Sequence, residues 1–299
     1  MFKIFFKTHI AVFFPVSLTD GTICNLTSYP GAEGRGPLFL QYFDDQEILV
    51  ACGSWALGER HCFRLSSGAS EAWEEIPSLI NGHCSYPTNT RSHYLSSLGW
   101  FVIGQDDSCS TDKSVIVTEL LTPDNEWIQT DTENPYEGAG FPCCTCNLPI
   151  NGTHLMVTGG FNGETLAATW ILDLTDNSWS PAAPMLTTRS SHGCMLTGDG
   201  EVLVAGGFDG SQDLGSVHVY NIEANAWRPE DDLPEEMYKS YPVLFSWNNM
   251  PLLIESDSTR IWQRTGSEWE AMEASVGEVS FYGYHDMTAL VPEGMFQCL

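Results

Sequence analysis

Three histidines recur at one position of a repeating sequence pattern, and they are the residues of this chain best suited to binding a metal. His93, His192 and His285 each precede an apolar segment, in every second copy of the pattern. Three imidazoles around one axis could ligate zinc or copper. Histidines at a repeated position also serve as hydrogen-bonding groups between neighbouring repeats, and we favour that interpretation. Gly-x-Ser-x-Gly, His-Glu-x-x-His and phosphate-binding glycine loops are absent, so we predict no catalytic residue, metal or cofactor.

The protein is strongly acidic. Its 299 residues include 39 Asp and Glu against 12 Lys and Arg, a formal net charge of −27. Such a charge repels nucleic-acid phosphates and anionic lipid headgroups, so we exclude nucleic acid as a partner. The apolar runs are too short to predict a membrane span. Basic proteins and divalent cations such as Ca²⁺ are the partners compatible with this charge, although we favour the simpler interpretation that the charge keeps the protein in solution.

Six copies of a strand–turn–strand pattern organise the chain. In each copy two apolar segments flank a tight turn, mostly of Asn, Asp and Gly, the residues that short hairpins prefer. The turns fall at Asp44-Asp45, Leu98-Gly99, Asn151-Gly152, Asp199-Gly200, Asn248-Asn249 and Glu293-Gly294. In two copies the second segment ends in a glycine pair, Gly159-Gly160 or Gly206-Gly207, which indicates that another backbone approaches closely.

A tryptophan follows each of the first five hairpins after one further apolar segment. These residues are Trp73, Trp127, Trp179, Trp227 and Trp269. We therefore interpret each unit as a four-stranded antiparallel sheet. A repeat period of about fifty residues is typical of β-propellers. We predict an all-β fold, a single six-bladed propeller over residues 1–299 with four antiparallel strands in each blade.

The pattern resembles the kelch repeat. The residues that carry the resemblance are the glycine pairs with Trp179 and Trp227, and the Arg-x-x-His sequence from Arg189 to His192. The resemblance implies a six-bladed kelch propeller that acts as a non-catalytic protein-binding or adhesive module. Two alternatives stay open. One is an intracellular substrate-recognition module of a ubiquitin-ligase adaptor, and the other is a copper-oxidase-like enzyme, whose tyrosine–cysteine site has no match here.

The first residues of the chain allow two interpretations. Residues 1–18 include an early lysine and many apolar residues, as in a secretory signal peptide. Residues 11–30 also align with the third and fourth strands of a repeat. They would then complete the last blade, whose own hairpin ends at Leu299, and the ring would close without exposed edges. The sequence allows both the signal peptide and the closing strands.

The longer loops of the predicted propeller form the candidate binding site. In an up-and-down blade, the loops from strand two to strand three and from strand four to the next blade share one face, and function often lies on such loops. We predict that this acidic face binds a protein, preferably a basic one, or Ca²⁺; the alternative is a solvated face without a ligand. The acidic residues are Asp106, Asp107, Asp112, Asp209, Asp213, Asp231, Asp232, Glu235 and Glu236.

Ten cysteines and two glycosylation sequons favour a secreted glycoprotein with disulfide bonds. The sequons begin at Asn25 and Asn151. Cys52 ends the second strand of blade one and Cys62 begins the third, so an antiparallel pairing places them opposite each other, and we predict a disulfide there. The alternative is a cytoplasmic protein with reduced thiols.

Overall fold

The computed structural model is a ring of antiparallel sheets. It describes residues 2–7, 13–17, 30, 39–43, 48–53, 59–66, 72–83, 91–105, 116–130, 132–136, 140–234, 242–247, 250–254, 260–275 and 289–292. All 23 of its regular elements are strands. Among these residues there is no helix whose length and hydropathy would let it cross a bilayer.

Short apolar segments and tight turns form the strands as the sequence pattern predicts. The chain begins with β1 (Phe2–Lys7) and β2 (Phe13–Ser17). Blade one contains β3 (Phe39–Phe43), β4 (Ile48–Cys52), β5 (Cys62–Ser66) and β6 (Glu74–Ile76). Blade two contains β7 (Arg91–Leu95), β8 (Gly99–Gln105), β9 (Ile116–Leu121) and β10 (Trp127–Gln129). Blade three contains β11 (Cys146–Pro149), β12 (His154–Thr158), β13 (Thr169–Asp173) and β14 (Ser178–Ala182). Blade four contains β15 (Gly193–Leu196), β16 (Glu201–Ala205), β17 (Val217–Asn221) and β18 (Ala226–Glu230). Blade five contains β19 (Val243–Trp247), β20 (Met250–Ile254), β21 (Arg260–Thr265) and β22 (Glu268–Ser275), and β23 (Ala289–Pro292) follows.

The all-β propeller with four-stranded antiparallel blades is confirmed, whereas the count of six such blades is not. The described residues form five four-stranded sheets and a sixth sheet of three strands in the order β2–β1–β23. In that sheet β1 pairs directly with β23, which is the first strand of the predicted C-terminal hairpin. The apolar segment Phe2–Lys7 is a good strand former that the repeat alignment passed over. That residues 1–18 form a signal peptide stays a prediction.

Neighbouring blades bury their apolar faces against each other. The first strands contact one another in the order β23, β3, β7, β11, β15, β19, and a separate apolar cluster fills each gap between blades one and five. Of the repeated tryptophans, Trp127 and Trp269 belong to these clusters, and Trp179 and Trp227 pack against them. The Trp127 indole donates a hydrogen bond to the Pro77 carbonyl of the preceding blade at 2.9 Å, and Trp227 does the same to Ala183 at 2.7 Å.

Two disulfides lie in the described part of the chain. Cys52 and Cys62 face each other across the β4–β5 ladder and are bonded, with their Cα atoms 4.0 Å apart. The second disulfide joins Cys146 on β11 to Cys194 on β15, and so links the innermost strands of blades three and four. Sequence spacing did not predict this second bond, because it depends on the contact between two blades.

The glycine pairs make room for the segment that leads into a blade. Gly207 has a φ of 89°, and a Cβ atom there would lie 2.6 Å from the Ser190 carbonyl oxygen. Gly159 has a φ of 60°, and its Cβ would overlap the Arg189 carbonyl oxygen of the next blade. Both positions therefore exclude a side chain for two reasons, the backbone conformation and the close approach.

We expect Gly207→Ala to destabilise the protein more than Gly200→Ala. Gly200 also has a positive φ, 75°, but nothing lies within 4 Å of its added Cβ, so that variant loses only the conformational term of about 1 kcal/mol. Gly207→Ala adds the overlap with the Ser190 carbonyl, which we estimate at about 1–3 kcal/mol. Urea unfolding of the two variants measures the difference, and equal losses would contradict the close-approach explanation.

Candidate binding face

The loops between blades three and four form one continuous surface, which we call the loop face. It consists of residues 159–168, 183–192, 206–216 and 231–234, which connect strands two and three of a blade or lead to the next blade. Backbone hydrogen bonds hold these loops together, including Gly160 N to Arg189 O at 2.9 Å and Leu233 N to Gly215 O at 2.8 Å. The surface is therefore held by main-chain contacts, and side chains can project from a defined backbone.

Asp209 shapes its own loop. Its Oδ1 atom accepts hydrogen bonds from the Ser211 amide and hydroxyl, both at 2.7 Å, and from the Gln212 amide at 2.9 Å. These hydrogen bonds lower the pKa of Asp209, and the bond from the Gln212 amide has the largest effect. The carboxylate closes a turn, as Asp side chains commonly do, so we assign it a structural role and leave ligand contacts to its neighbours.

The other predicted acidic residues that the structure describes are exposed on the loop face. Asp213 lies in the β16–β17 loop, and Asp231 and Asp232 follow β18. The remaining five, Asp106, Asp107, Asp112, Glu235 and Glu236, lie outside the described residues, as does the sequon at Asn25. Among the residues that the structure describes, no group of three or more His, Cys, Asp or Glu residues is arranged to hold a metal ion, so nothing there supports Ca²⁺ binding.

Large apolar side chains accompany these carboxylates. Phe161 is 41% exposed in the β12–β13 loop, and Leu186 is 54% exposed in the connection from β14 to β15. The acidic pattern directed attention to charge and missed both residues. A signal existed in the sequence, because a phenylalanine follows each glycine pair, at Phe161 and at Phe208. The loop face therefore combines an aromatic ring, an aliphatic side chain and several negative charges.

Arg189 supports the loop face from beneath. Its guanidinium is fully buried and donates to the carbonyls of Gly206 and Ser216, both at 3.0 Å, and to the Ser216 hydroxyl at 2.9 Å. It also donates to His218 Nδ1 at 3.1 Å. Burial lowers the pKa of Arg189 to about 10, against the opposing charge of Asp232, and burial with the Arg189 charge lowers the pKa of His218 to about 4. The histidine is therefore neutral at pH 7 and accepts the bond.

The histidines of the repeated position connect blades. His192 Nε2 pairs with the Thr158 hydroxyl of blade three at 2.8 Å, and His93 Nε2 pairs with Asn147 Oδ1, also of blade three, at 2.5 Å. These bonds fit the structural interpretation of the pattern. His285 lies outside the described residues.

A buried carboxylate holds the loop between blades one and two. Glu119 on β9 accepts hydrogen bonds from the amides of Ile80 at 2.7 Å and Asn81 at 2.9 Å, and it pairs with His83 at 3.2 Å. Burial raises the pKa of Glu119, but the bond and charge of His83 and the two amides outweigh burial, so the pKa is lowered. Ile80, which is 40% exposed, is thereby fixed on the same side of the ring as the loop face.

The opposite face carries the tight turns. Asn151 is exposed in the β11–β12 turn, where its Oδ1 atom accepts the amides of Thr153 and His154 at 2.9 and 2.8 Å. A groove of about 440 Å³ lies on this side between blades four and five. Both of its arginines are paired: Arg228 binds Glu201 through both terminal nitrogens at 2.7 Å and Glu230 at 3.2 Å, and Arg264 binds Glu230 at 2.9 Å.

We expect Glu119→Gln to lower the free energy of unfolding by about 2 kcal/mol at pH 7, because the variant removes the charge of a buried carboxylate that accepts hydrogen bonds from two amides and pairs with His83. The pKa of Glu119 is lower in the folded state, so its stabilisation is complete above the unfolded-state value and is lost as the pH falls through the folded-state value. The difference between the two proteins should therefore narrow below about pH 4. Urea unfolding between pH 7 and pH 3 measures it.

Glu74→Gln is the matched control, since Glu74 pairs with Arg64 at 2.9 Å on the exposed surface. We expect that variant to change stability by less than about 0.5 kcal/mol at every pH. A pH-independent loss in Glu119→Gln would show that its carboxylate is not ionised in the fold.

Comparisons with known proteins agree with this architecture. The kelch motif matches residues 142–186 and 189–234, which span blades three and four. Kelch-like protein 33 of Homo sapiens is 34% identical over 89 residues, which cover 28% of this chain and 16% of that protein. Kelch repeat-containing protein kel-10 of Caenorhabditis elegans is 30% identical over 192 residues, which cover 61% of this chain and 31% of that protein. The chain thus spans less than a third of the length of either relative.

A solved structure described as "Structure of YjhT" shares the fold. It superposes with a TM-score of 0.63 at 14% sequence identity, and the match covers 88% of this chain and 91% of that one. The motif matches, the relatives and the five four-stranded blades lead to the same conclusion. Blades three and four are kelch repeats, and the predicted resemblance to the kelch-repeat β-propeller family is confirmed.

Proposed function

We propose that this protein is a non-catalytic binding module that engages a protein partner through its loop face. The observation that carries the proposal is the exposure of two apolar side chains, Phe161 and Leu186, on the same loop face as Asp213, Asp231 and Asp232. Exposed apolar groups with polar neighbours mark interaction sites. We further propose that the sheet of β1, β2 and β23 is part of a sixth blade.

The chemistry of the loop face indicates the partner. Aromatic and aliphatic anchors supply most of the binding energy in protein interfaces, while charges around them speed association and select partners. The partner proposed here is a protein segment with an apolar or aromatic residue flanked by Lys or Arg. The main-chain hydrogen bonds between the loops hold the face in one conformation, which lowers the entropy lost on binding.

We propose an extracellular location. The Cys52–Cys62 and Cys146–Cys194 disulfides support this proposal, because such bonds persist in oxidising compartments. The exposed Asn151 sequon lies in a tight turn on the side opposite the loop face. A glycan attached there would leave the proposed binding surface open.

Substitution of the apolar anchors tests the binding proposal. The folded chain is used to select peptides from a random phage-displayed library, and the affinity of the enriched peptides is then measured by calorimetry. We expect Phe161→Ala and Leu186→Ala each to weaken binding by about 2 kcal/mol, roughly 30-fold. We also expect the selected peptides to combine basic and apolar residues.

Two controls separate the loop face from the rest of the surface. Ile128 is 43% exposed but lies on the outer strand β10, so Ile128→Ala should leave binding unchanged. The pair Asp231→Asn and Asp232→Asn should slow association about tenfold at low salt. Asp199→Asn, in a turn on the opposite face, should not. Equal effects of Phe161→Ala and Ile128→Ala would reject the loop face as the site.

Cysteine chemistry tests the proposed location. We expect the protein isolated from animal cells to show few reactive thiols among its ten cysteines, and non-reduced peptide mapping to recover Cys52 linked to Cys62. Glycosidase treatment should lower the mass of the peptide that contains Asn151. Ten reactive thiols and an unmodified Asn151 would instead favour the intracellular adaptor function.

A further inference from the structure

Two adjacent cysteines lie at the edge of the loop face, in the segment that leads into blade three. Cys143 and Cys144 are both half-buried, and Cys144 Sγ donates toward Cys143 Sγ at 3.0 Å. We propose that this pair is a redox site that forms a reversible disulfide between neighbouring residues, with small thiols and disulfides as its reaction partners.

The next repeat shows that this backbone does not need cysteines. Ser190 occupies in blade four the place of Cys143: each pairs in both directions with the phenylalanine after its glycine pair, over 2.8 to 2.9 Å. Ser191 occupies the place of Cys144, and their φ angles are 55° and 61°. Two serines therefore support the same left-handed turn and the same hydrogen bonds.

The fold therefore does not require sulfur atoms at these two positions. The left-handed residue turns the chain so that adjacent side chains, which ordinarily diverge along an extended segment, lie together. The repeat thus supplies a geometry that brings two neighbouring thiols into reach. The backbone of Cys144 is also anchored to blade four, since its carbonyl accepts the Ser191 amide at 2.8 Å.

The reaction is an ordinary thiol–disulfide exchange in two steps. The thiolate of one cysteine attacks oxidised glutathione, which forms a mixed disulfide and releases one glutathione thiolate. The second thiolate attacks the protein sulfur of that mixed disulfide and expels a second glutathione. The two cysteines lose two protons and two electrons, and oxidised glutathione is reduced to two molecules of glutathione.

Chain geometry makes this disulfide easier to reduce than the Cys146–Cys194 bond, whose Cα atoms lie 6.0 Å apart. Neighbouring Cα atoms are about 3.8 Å apart, which is shorter than the range of about 4.4–6.8 Å that disulfides usually span. Such a bond is strained, and strained or exposed disulfides are the ones that open under mild reduction. Both redox states are therefore accessible, as a reversible site requires.

The cysteine pair is hydrogen-bonded directly to a residue of the loop face, so its redox state affects that face. Both the amide and the carbonyl of Cys143 bind Phe161, at 2.9 and 2.8 Å. Closure of the small ring changes the backbone at Cys143, so it changes how Phe161 is presented. This consequence for partner binding rests on the function proposed above, whereas the disulfide itself does not.

Redox titration of the intact protein tests the proposal. The protein is equilibrated with mixtures of reduced and oxidised glutathione, quenched with acid, alkylated and mapped without reduction. We expect Cys143 and Cys144 to carry no alkyl group and to lack two hydrogens at the oxidising end, and to carry one alkyl group each at the reducing end. The Cys146–Cys194 bond, whose Cα distance of 6.0 Å lies within the usual range, should persist throughout.

Serine variants provide the matched controls. Cys143→Ser and Cys144→Ser should each leave one thiol, which then carries a single glutathione at the oxidising end. The double variant should fold as the wild type does, because Ser190 and Ser191 already occupy the equivalent positions in blade four. Its positions 143 and 144 should take up no glutathione. A link from Cys143 or Cys144 to any other cysteine, or alkylation of both at every ratio, would overturn the proposal.

Capture by phenylarsine oxide, which binds closely spaced dithiols, supplies an independent readout. The reduced wild type should be retained on the immobilised reagent, and both single variants should lose that retention. Peptide affinity in the two redox states is measured separately. An unchanged affinity with an intact redox transition would reject only the coupling to Phe161, and loss of the transition would reject the redox site.

Discussion

Burial of apolar surface between neighbouring blades is the interaction on which the rest of this structure depends. A four-stranded sheet has two faces, and a single blade has no partner of its own to cover either. The apolar clusters of the described chain accordingly lie between successive blades rather than within them. The tryptophan indoles of Trp127 and Trp227 fasten these contacts with hydrogen bonds to the preceding blade. Stability is thus a property of the ring and accumulates at each interface.

Polar contacts then set the spacing of the blades near the axis. The glycine pairs let the segment that leads into the next blade approach the backbone closely. This segment is then hydrogen-bonded to the glycines: the Arg189 carbonyl accepts the Gly160 amide, and the Arg189 guanidinium donates to the Gly206 carbonyl. Histidines at the same level bond to Thr158 and Asn147 across blade boundaries. The sequence features that define the repeat are therefore the contacts by which one blade positions the next.

The same contacts shape the surface proposed to bind a partner. Loops are usually the mobile parts of a fold, yet those of blades three and four are tied together by main-chain bonds and supported from below by Arg189. The loops that form the proposed binding face are part of the kelch motif. Other residues of the motif pack in the interior, and Phe161 and Leu186 stay exposed. A ring of interlocked loops can in this way present a preorganised surface.

Short-range features were predictable from the amino-acid sequence by itself. Hairpins, glycine pairs, the tryptophan period and the opposition of Cys52 and Cys62 follow from alternation and turn chemistry within about fifty residues. Tertiary structure alone decided the contacts made between blades: the Cys146–Cys194 bond, the burial of Glu119 against His83, and the pairing of β1 with β23. It also decided which residues of the loops stay exposed. The physical reason is that sequence patterns encode the faces and turns of each blade, whereas these contacts arise only when the ring places distant segments side by side.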